Sequence, residues 1–261
     1  LLFLFWLFIG RKFGDSVVLN YSIFDHFIGI FYAQGGHPYM SWGVPLWFLH
    51  SMFFTFLFFG WIKKIKNMKF QIFTLLGSIG IGFLIPTLFN AHILWSLDVS
   101  LVAMSFYALS HYLKSFIFNT SFKKRGNLIM IIAFTVHLVC SLFLIVKVDM
   151  YRSTYSNEFL FLLNAYVAIC FWLLVFRSIK KNRILSFFGK NTIPVLALHL
   201  RMLTVIKLFL LVFLSAKTFS FNEVEKVILV IAQLMLLYPI IILINKYAPI
   251  LNGKTKTKTR N

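Results

Sequence analysis

Ionisable side chains inside long apolar segments are the residues of this chain that could do chemistry. Asp98 stands a few residues into an apolar segment that starts near Leu94. A spacing of seven residues, or about two helical turns, places Asp98, Ser105 and Tyr112 on one helix face. A polar stripe of this kind suits a water-accessible cavity inside a helix bundle. Alternatively, the helix dipole favours Asp98 at an N-terminus, and the two hydroxyl groups hydrogen-bond to neighbouring helices.

A second polar group follows Asn191. Asn191 or Thr192 can cap a helix that begins here, since both side chains carry an oxygen that accepts a hydrogen bond. Pro194 then fits the first helical turn. His199 then lies about 10 Å along that helix at ~1.5 Å per residue, with Arg201 slightly deeper. Together with Lys207 they place three ionisable residues in one helix, which favours an internal anion site over snorkelling. His199 and Arg201 point to nearly opposite faces, so we do not expect both to contact one ligand atom.

Pro45, Trp47 and His50 mark the start of another helix. Proline is tolerated in the first turn of a helix, and tryptophan prefers the headgroup level of a membrane. On spacing alone, Trp47 and the following Phe48 are typical of an aromatic belt at a membrane interface.

The sequence shows neither a metal site nor a disulfide framework. Its histidines have no partner at ligand spacing, and Cys140 and Cys170 both fall within apolar runs. The segment Gly77-Ser78-Ile79-Gly80-Ile81-Gly82 lacks the lysine and Ser/Thr of a phosphate-binding loop. Small residues at this spacing in an apolar helix instead predict a packing surface.

Membrane-spanning helices must position these side chains. The 261 residues are 60% hydrophobic and include 33 phenylalanines, far more apolar than one soluble core requires. A spanning helix needs roughly 20 mostly apolar residues. Residues 1–10 look like the second half of a further helix. Seven segments have the full length: about 44–62, 70–89, 94–113, 127–146, 158–176, 192–214 and 227–245. The sequence therefore predicts an all-α, polytopic transmembrane bundle with about eight helices.

Basic residues sort the loops into two sets. The net charge of +19 lies mainly in short loops beside the spans, so we interpret it as a topology signal rather than a nucleic-acid surface. Loops rich in Lys and Arg predict the cytoplasmic side. The basic residues of those loops are Lys63, Lys64, Lys66 and Lys69; Lys114, Lys123, Lys124 and Arg125; Arg177, Lys180, Lys181, Arg183 and Lys190; and Lys246, Lys254, Lys256, Lys258 and Arg260.

The charge pattern places residues 11–43 and Asp98 outside, and His199 and Arg201 near the inner side. Residues 16–33 are apolar but short and contain Asp25, so we predict a re-entrant or surface-lying segment rather than a span. Residues 1–247 form the predicted membrane domain. Residues 248–261 form a basic cytoplasmic tail, solvated from Lys254 onward.

Three ordered motifs, spread over about 155 residues, resemble the acyltransferase family 3 membrane enzymes. The closest similarity is to the sugar O-acetyltransferase branch often labelled fucose 4-O-acetylase-like. The motifs are Pro45-Leu46-Trp47-Phe48-Leu49, then Leu94-Trp95-Ser96-Leu97-Asp98-Val99-Ser100-Leu101-Val102-Ala103, and Leu185-Ser186-Phe187-Phe188-Gly189-Lys190-Asn191-Thr192 followed by Leu198-His199.

The resemblance implies about ten transmembrane helices in a bacterial inner or plasma membrane. It also implies transfer of an acetyl or other acyl group from acyl-CoA to a hydroxyl of a cell-surface or lipid-linked glycan. The chain begins without Met or a charged flank. We therefore expect two further helices upstream, including the first helix that carries the family's catalytic histidine, for which this chain has no matching segment. The catalytic residue is accordingly unassigned.

The resemblance also suggests roles for individual residues. Trp47 and Phe48 carry over as the wall of a central cavity, and Asp98 as an acceptor-side polar group. Asn191 and His199 carry over as donor-side groups, to which the anion-site argument adds Arg201. The expected partners are acyl-CoA, a glycan acceptor and membrane lipids, with no metal and no nucleic acid. An exporter or flippase of a glycan or lipid intermediate is the alternative, because polar residues within spans also mark transport paths.

Overall fold

The computed structural model is all-α apart from one small hairpin. It describes residues 2–8, 21–33, 43–89, 93–117, 126–143, 147–179, 182–214 and 220–254. The chain forms two compact units, Leu1–Lys180 and Lys181–Asn261. Several sequence predictions fall outside the described residues. They concern residues 16–20, the turn at Gly35-Gly36-His37-Pro38, His92, the basic residues 123–125, 180 and 181, and the tail after Lys254.

The first unit contains seven helices and a two-stranded hairpin within its described residues. The elements are α1 Leu2–Phe8, α2 Ile23–Tyr32, α3 Trp47–Ile62, α4 Met68–Phe89, α5 Leu97–Ile117, α6 Gly126–Phe143, β1 Val148–Asp149, β2 Thr154–Tyr155 and α7 Glu158–Ser178.

The described part of the second unit has three helices and ends in a short 3-10 helix, Pro249–Asn252. Its helices are α8 Arg183–Gly189, α9 Thr192–Leu214 and α10 Glu223–Tyr247. Side-chain oxygens accept hydrogen bonds from the free N–H groups at two helix starts, Asn182 for α8 and Asn222 for α10. In α10, Glu225 completes a capping box with Asn222.

Six helices in the described part of the chain are long and apolar enough to cross a membrane: Gly43–Ile62, Met68–Phe89, Gly126–Phe143, Glu158–Ser178, Thr192–Phe213 and Glu223–Tyr247. They agree with six of the seven predicted spans. The predicted eighth, partial helix is present as α1, which has seven described residues. The chain is thus a multi-pass α-helical membrane protein.

The seventh predicted span, 94–113, forms α5 but does not belong to the six strongly apolar helices. The reason is its position, since α5 packs against α3, α4 and α7. Val99, Val102 and Met104 are fully buried on α5, as are Asp98 and Ser100. A helix surrounded by other helices does not need an apolar outer face, so its polar residues lower the hydropathy that identifies a span.

The hairpin lies between α6 and α7, which pack against each other. Val148 pairs with Tyr155 and Asp149 with Thr154 in an antiparallel register. A 3-10 turn joins the two strands and ends at Ser153, whose backbone is left-handed at φ 52°. This turn places Ser153 and Tyr155 next to the start of α5.

Candidate functional site

An unusual turn precedes α5. Trp95 and Ser96 have φ values of 61° and 53°, a left-handed conformation that costs non-glycine residues about 1–3 kcal/mol each. Two contacts hold Trp95 there: its indole N–H donates to the Phe31 carbonyl at 2.8 Å, and its ring stacks on Phe54 at 5.5 Å. The Ser96 carbonyl accepts a hydrogen bond from the Ser100 hydroxyl at 2.8 Å. The surrounding structure therefore over-determines a strained turn, as is common at functional sites.

Asp98 lies at the start of α5 and is fully buried. Its Oδ2 accepts a short hydrogen bond from the Ser153 hydroxyl. Its Oδ1 has no hydrogen-bond partner in the described part of the chain. No described Lys, Arg or His forms an ion pair with it either. A buried carboxylate that lacks both a cation and one hydrogen bond is energetically costly.

Two other buried hydroxyl groups lie in this region with no hydrogen-bond partner among the described residues, those of Ser96 and Tyr155. The Tyr155 ring packs edge-on against Phe83 at 4.9 Å. Burial raises the pKa of the Tyr155 phenol, and the negative charges of Asp98 and Asp149 raise it further. The phenol is therefore neutral at physiological pH and can donate a hydrogen bond.

Close helix packing fixes the backbone at Asp98. A Cβ added to Gly82 of α4 would lie 2.9 Å from the Asp98 carbonyl oxygen and 2.9 Å from Val102 Cγ2. Cβ atoms added at Gly77 and Gly80 would meet no described atom within 4 Å. The predicted packing surface is thus confirmed at Gly82 alone, where the absence of a side chain lets α4 approach α5 closely.

An open cavity of about 340 Å³ lies beside the hairpin. It is lined by Lys147, Val148, Asp149, Thr154, Tyr155 and Ser156. Tyr155 lines this cavity, while its buried hydroxyl lies near the carboxylate of Asp98. We refer to Asp98, Ser96, Ser153 and Tyr155 as the Asp98 cluster.

The predicted stripe of Asp98, Ser105 and Tyr112 divides in the structure. Ser105 is buried, and its hydroxyl donates to the Val102 carbonyl of its own helix at 2.7 Å. The Tyr112 hydroxyl donates to Gln71 Oε1 of α4 at 3.1 Å. The Ser105 hydroxyl therefore bonds within its own helix and the Tyr112 hydroxyl bonds a neighbouring helix, and neither contacts Asp98 in these hydrogen bonds.

Trp47 and Phe48 lie in the first turn of α3 with their rings edge-to-face at 6.0 Å. Trp47 is half-buried, whereas Phe48 is 42% exposed. His50 binds the Leu46 carbonyl through Nδ1 at 3.1 Å. Phe54 of α3 stacks on Trp95 in the turn before Asp98, and the sequence did not single it out.

The second unit has its own polar centre, built around Asn191. Its Oδ1 accepts hydrogen bonds from Asn245 at 2.8 Å, Asn252 at 2.6 Å and the Lys254 ammonium at 2.8 Å. Its Nδ2 donates to the Phe187 carbonyl at 2.6 Å. We refer to Asn191, Asn245, Asn252 and Lys254 as the amide cluster.

The amide cluster also binds Lys254, the first residue of the predicted solvated tail. Lys254 donates a second hydrogen bond to Asn245 Oδ1 at 2.9 Å. Preceding it, the 3-10 helix Pro249–Asn252 packs against α9 and α10. Lys254 thus differs from the expectation of a solvated residue, because amide oxygens satisfy the lysine ammonium as water would. Asn245, a polar residue inside an apolar run, was the sequence signal that could have indicated a partner for Asn191.

His199 and Arg201 lie on α9, outside the amide cluster. His199 is half-buried and shares its Nδ1 proton between the carbonyls of Val195 at 3.1 Å and Leu196 at 2.9 Å. Because carbonyls only accept hydrogen bonds, Nδ1 carries a proton in this arrangement. Arg201 is half-buried. No described hydrogen bond joins His199 to the amide cluster.

His137 has a partner that the sequence did not reveal. Its Nδ1 lies 2.7 Å from Asn164 Oδ1, which links α6 to α7. The two residues are 27 positions apart, so only the packing of these helices brings them together. Interhelical hydrogen bonds of this kind hold membrane helices in register.

The fold and the two polar centres define a multi-pass helical membrane protein with buried polar groups inside its bundle. No group of three His, Cys, Asp or Glu residues that could hold a metal ion exists within the described ranges. No protein-family model, curated protein or solved structure matches the chain.

Proposed function

We propose that the protein is an integral membrane O-acyltransferase of the bacterial inner membrane. It transfers an acetyl or other acyl group from acyl-CoA to a hydroxyl of a cell-surface or lipid-linked polysaccharide. The observation that carries the proposal is the state of Asp98. This residue comes from the second motif of the resemblance, and the fold buries it with one carboxylate oxygen lacking a described partner.

The Asp98 cluster supplies the groups that a polyhydroxylated acceptor needs. The free carboxylate oxygen accepts a hydrogen bond from an acceptor hydroxyl, and the hydroxyls of Ser96 and Tyr155 can donate or accept. A bound acceptor would thereby satisfy three buried polar atoms. The gain in binding free energy is largest where the protein alone leaves those hydrogen bonds unformed. The cavity beside the hairpin shares one residue, Tyr155, with this cluster.

The donor-side assignment rests on the second unit. Asn191, from the third motif, is buried at the centre of the amide cluster. We propose that Asn191 and His199 help to form the acyl-CoA site, with Arg201 compensating the negative charge of the CoA phosphates. Trp47 and Phe48 are proposed as part of the wall of the central cavity.

The proposed reaction is a direct acyl transfer. The acceptor oxygen attacks the thioester carbonyl carbon, the carbon–sulfur bond breaks, and the acceptor proton passes through a general base to the departing CoA thiolate. A histidine suits this proton transfer because its pKa lies near neutrality. Asp98 would orient the attacking hydroxyl through a hydrogen bond, which shortens the search for a reactive geometry.

The test measures how much radiolabel passes from [acetyl-¹⁴C]CoA to surface glycan in membranes that contain the full-length protein. Wild-type membranes are expected to incorporate label. The Asp98→Asn variant is expected to incorporate at least about tenfold less, which equals a loss of about 1.4 kcal/mol of transition-state stabilisation. Ser105→Ala is the matched control, since its buried hydroxyl bonds only within the same helix.

Membrane abundance of each variant is measured alongside. Absence of label in wild-type membranes would refute the acyltransferase proposal. Accumulation of unexported glycan in a deletion strain, with acylation unchanged, would instead support the exporter. Label in Asp98→Asn equal to that of Ser105→Ala would remove Asp98 from the acceptor site while leaving the enzymatic proposal intact.

A further inference from the structure

Helix α2 separates its residues into two opposed faces. At roughly 100° per residue, its large exposed apolar side chains fall within an arc of about 160°. They are Ile23, Phe24, Phe27, Ile28, Ile30 and Phe31. The other face carries His26 and Gly29, both buried, followed by buried Ala33 at the C-cap. The polar histidine therefore faces protein, and the apolar side chains face outward.

The N-terminal end of α2 carries a charge. The Ser22 hydroxyl accepts from the Asp25 N–H at 3.1 Å, and Asp25 Oδ2 accepts from the Ser22 N–H at 2.9 Å. These hydrogen bonds with Ser22 lower the pKa of the Asp25 carboxyl, so it is ionised at neutral pH. An ionised carboxylate needs water or headgroups, so this end of α2 cannot lie deep in the hydrocarbon.

The other end of α2 is fixed at the start of α5. Trp95 donates its indole hydrogen bond to the carbonyl of Phe31, in the last turn of α2. The Ala33 N–H returns to the Gly29 carbonyl at 3.0 Å and closes the helix. One end of α2 is thus charged, and the other is bound to Trp95 in the turn before α5. The ten residues of α2 extend about 15 Å at ~1.5 Å per residue, which is about half the thickness of the hydrocarbon core.

We propose that α2 is an interfacial helix that binds the acyl chains of the membrane leaflet on the Asp98 side, through the face formed by Ile23, Phe24, Phe27, Ile28 and Phe31. A surface-lying amphipathic helix normally turns its polar face to water. Here the protein covers that face at His26, so α2 lies between bundle and lipid. The inference does not depend on acyl transfer.

Lipid is the occupant that the rest of the structure favours. Spanning helices of the same unit also expose large apolar side chains, such as Phe53 of α3 at 60% and Leu76 of α4 at 62%, as helices in contact with lipid do. No charged side chain interrupts the exposed arc of α2. The ionised Asp25 lies at the N-terminal end of the helix, where lipid headgroups and water can solvate it.

The experiment is site-directed spin labelling of the protein in bilayers, with Cys140 and Cys170 replaced by Ala. Labels are placed at Phe24→Cys and Phe31→Cys. Leu76→Cys, an exposed position within α4, is the control for lipid exposure. Arg152→Cys, on the exposed hairpin turn, is the control for water exposure. Collision rates are measured with oxygen, which concentrates in lipid, and with a water-soluble nickel chelate.

Both α2 labels are expected to collide with oxygen several-fold more often than the Arg152 label does, and to be protected from nickel. The ratio of their oxygen collision rate to their nickel collision rate is expected to fall between those of the Leu76 and Arg152 labels, because α2 lies at a shallow depth in the membrane. Nickel access at either α2 position equal to that at Arg152 would overturn the proposal. Shielding of both labels from oxygen and nickel would show that protein covers this face, and would overturn it as well.

Discussion

The two polar centres of this membrane protein differ in how completely their buried polar groups are hydrogen-bonded. Each lies at the start of a long helix, and each is built on a residue from one of the resembling motifs, Asp98 or Asn191. The amide cluster is neutral except for Lys254, and Asn191 uses both its oxygen and its nitrogen in hydrogen bonds. The Asp98 cluster is charged and leaves three buried polar atoms without a described partner.

This difference separates structural polarity from functional polarity. A fully bonded buried network stabilises one packing arrangement, and each hydrogen bond adds about 0.5–1.5 kcal/mol net. An incomplete one costs stability and is retained where a ligand completes it. We therefore expect substitutions at Asn191 to lower stability in addition to any effect on the proposed acyl-CoA site, and substitutions at Asp98 to act mainly on binding.

Asn191→Ala should have the largest effect on stability. It removes the acceptor of three donors. Asn252 and Lys254 keep a hydrogen bond to Asn245 Oδ1, whereas the Asn245 amide N–H loses its described acceptor, at about 1–3 kcal/mol. With the other lost hydrogen bonds, we expect the free energy of unfolding to fall by about 3 kcal/mol. Thermal unfolding in detergent, followed by size-exclusion fluorescence, measures it. Thr204→Ala on the same helix, whose exposed hydroxyl bonds only the Leu200 carbonyl, is the control. Equal melting temperatures for the two variants would contradict the assignment.

Ser153→Ala tests whether the hairpin helps to hold Asp98. The hydroxyl donates the one hydrogen bond that the carboxylate receives from described residues. Hydrogen bonds to charged groups contribute about 1.5–3 kcal/mol, so we expect a loss of about 2 kcal/mol in Ser153→Ala and less than that in Ser105→Ala. If Asp98→Asn proves as stable as the wild type, the cost of the buried charge is confirmed. A large destabilisation by Asp98→Asn would instead make the Asp98 cluster structural.

Gly82→Ala tests the rigid packing behind Asp98. The new methyl group would lie 2.9 Å from the Asp98 carbonyl oxygen, so α4 and α5 must separate. Overpacking of this kind costs about 1–3 kcal/mol. Gly80→Ala, with no described atom within 4 Å, should be neutral or stabilising by about 0.5–1 kcal/mol. Thermal unfolding of the pair measures the difference, and equal melting temperatures would refute close packing at Gly82.

Trp95→Phe should have the smallest effect. The phenylalanine ring can still stack on Phe54, but the hydrogen bond to the Phe31 carbonyl is lost, at about 1 kcal/mol. We expect faster amide hydrogen exchange in residues 23–32 with little change in α10. Trp172→Phe, half exposed on α7, is the control. Unchanged exchange in α2 would show that Trp95 does not anchor it.

The resemblance and the spacing predicted which residues the two centres are built on, and the predicted spans agree with six helices. The sequence could not predict their partners. Ser153 is 55 positions from Asp98, and Asn252 is 61 from Asn191. A local pattern contains no information about which distant loop meets a helix start, so both clusters depended on helix packing.

Helix α5 shows most clearly what each level decided. The amino-acid sequence by itself determined a multi-pass helical membrane protein, because long apolar runs can satisfy their backbone in lipid only as helices. It also placed Asp98 near a helix start through spacing. Only the tertiary structure decided that α5 packs against α3, α4 and α7, and that one oxygen of Asp98 is bonded while the other has no described partner. Burial and hydrogen bonding belong to contacts between distant segments, and those exist only after the helices pack.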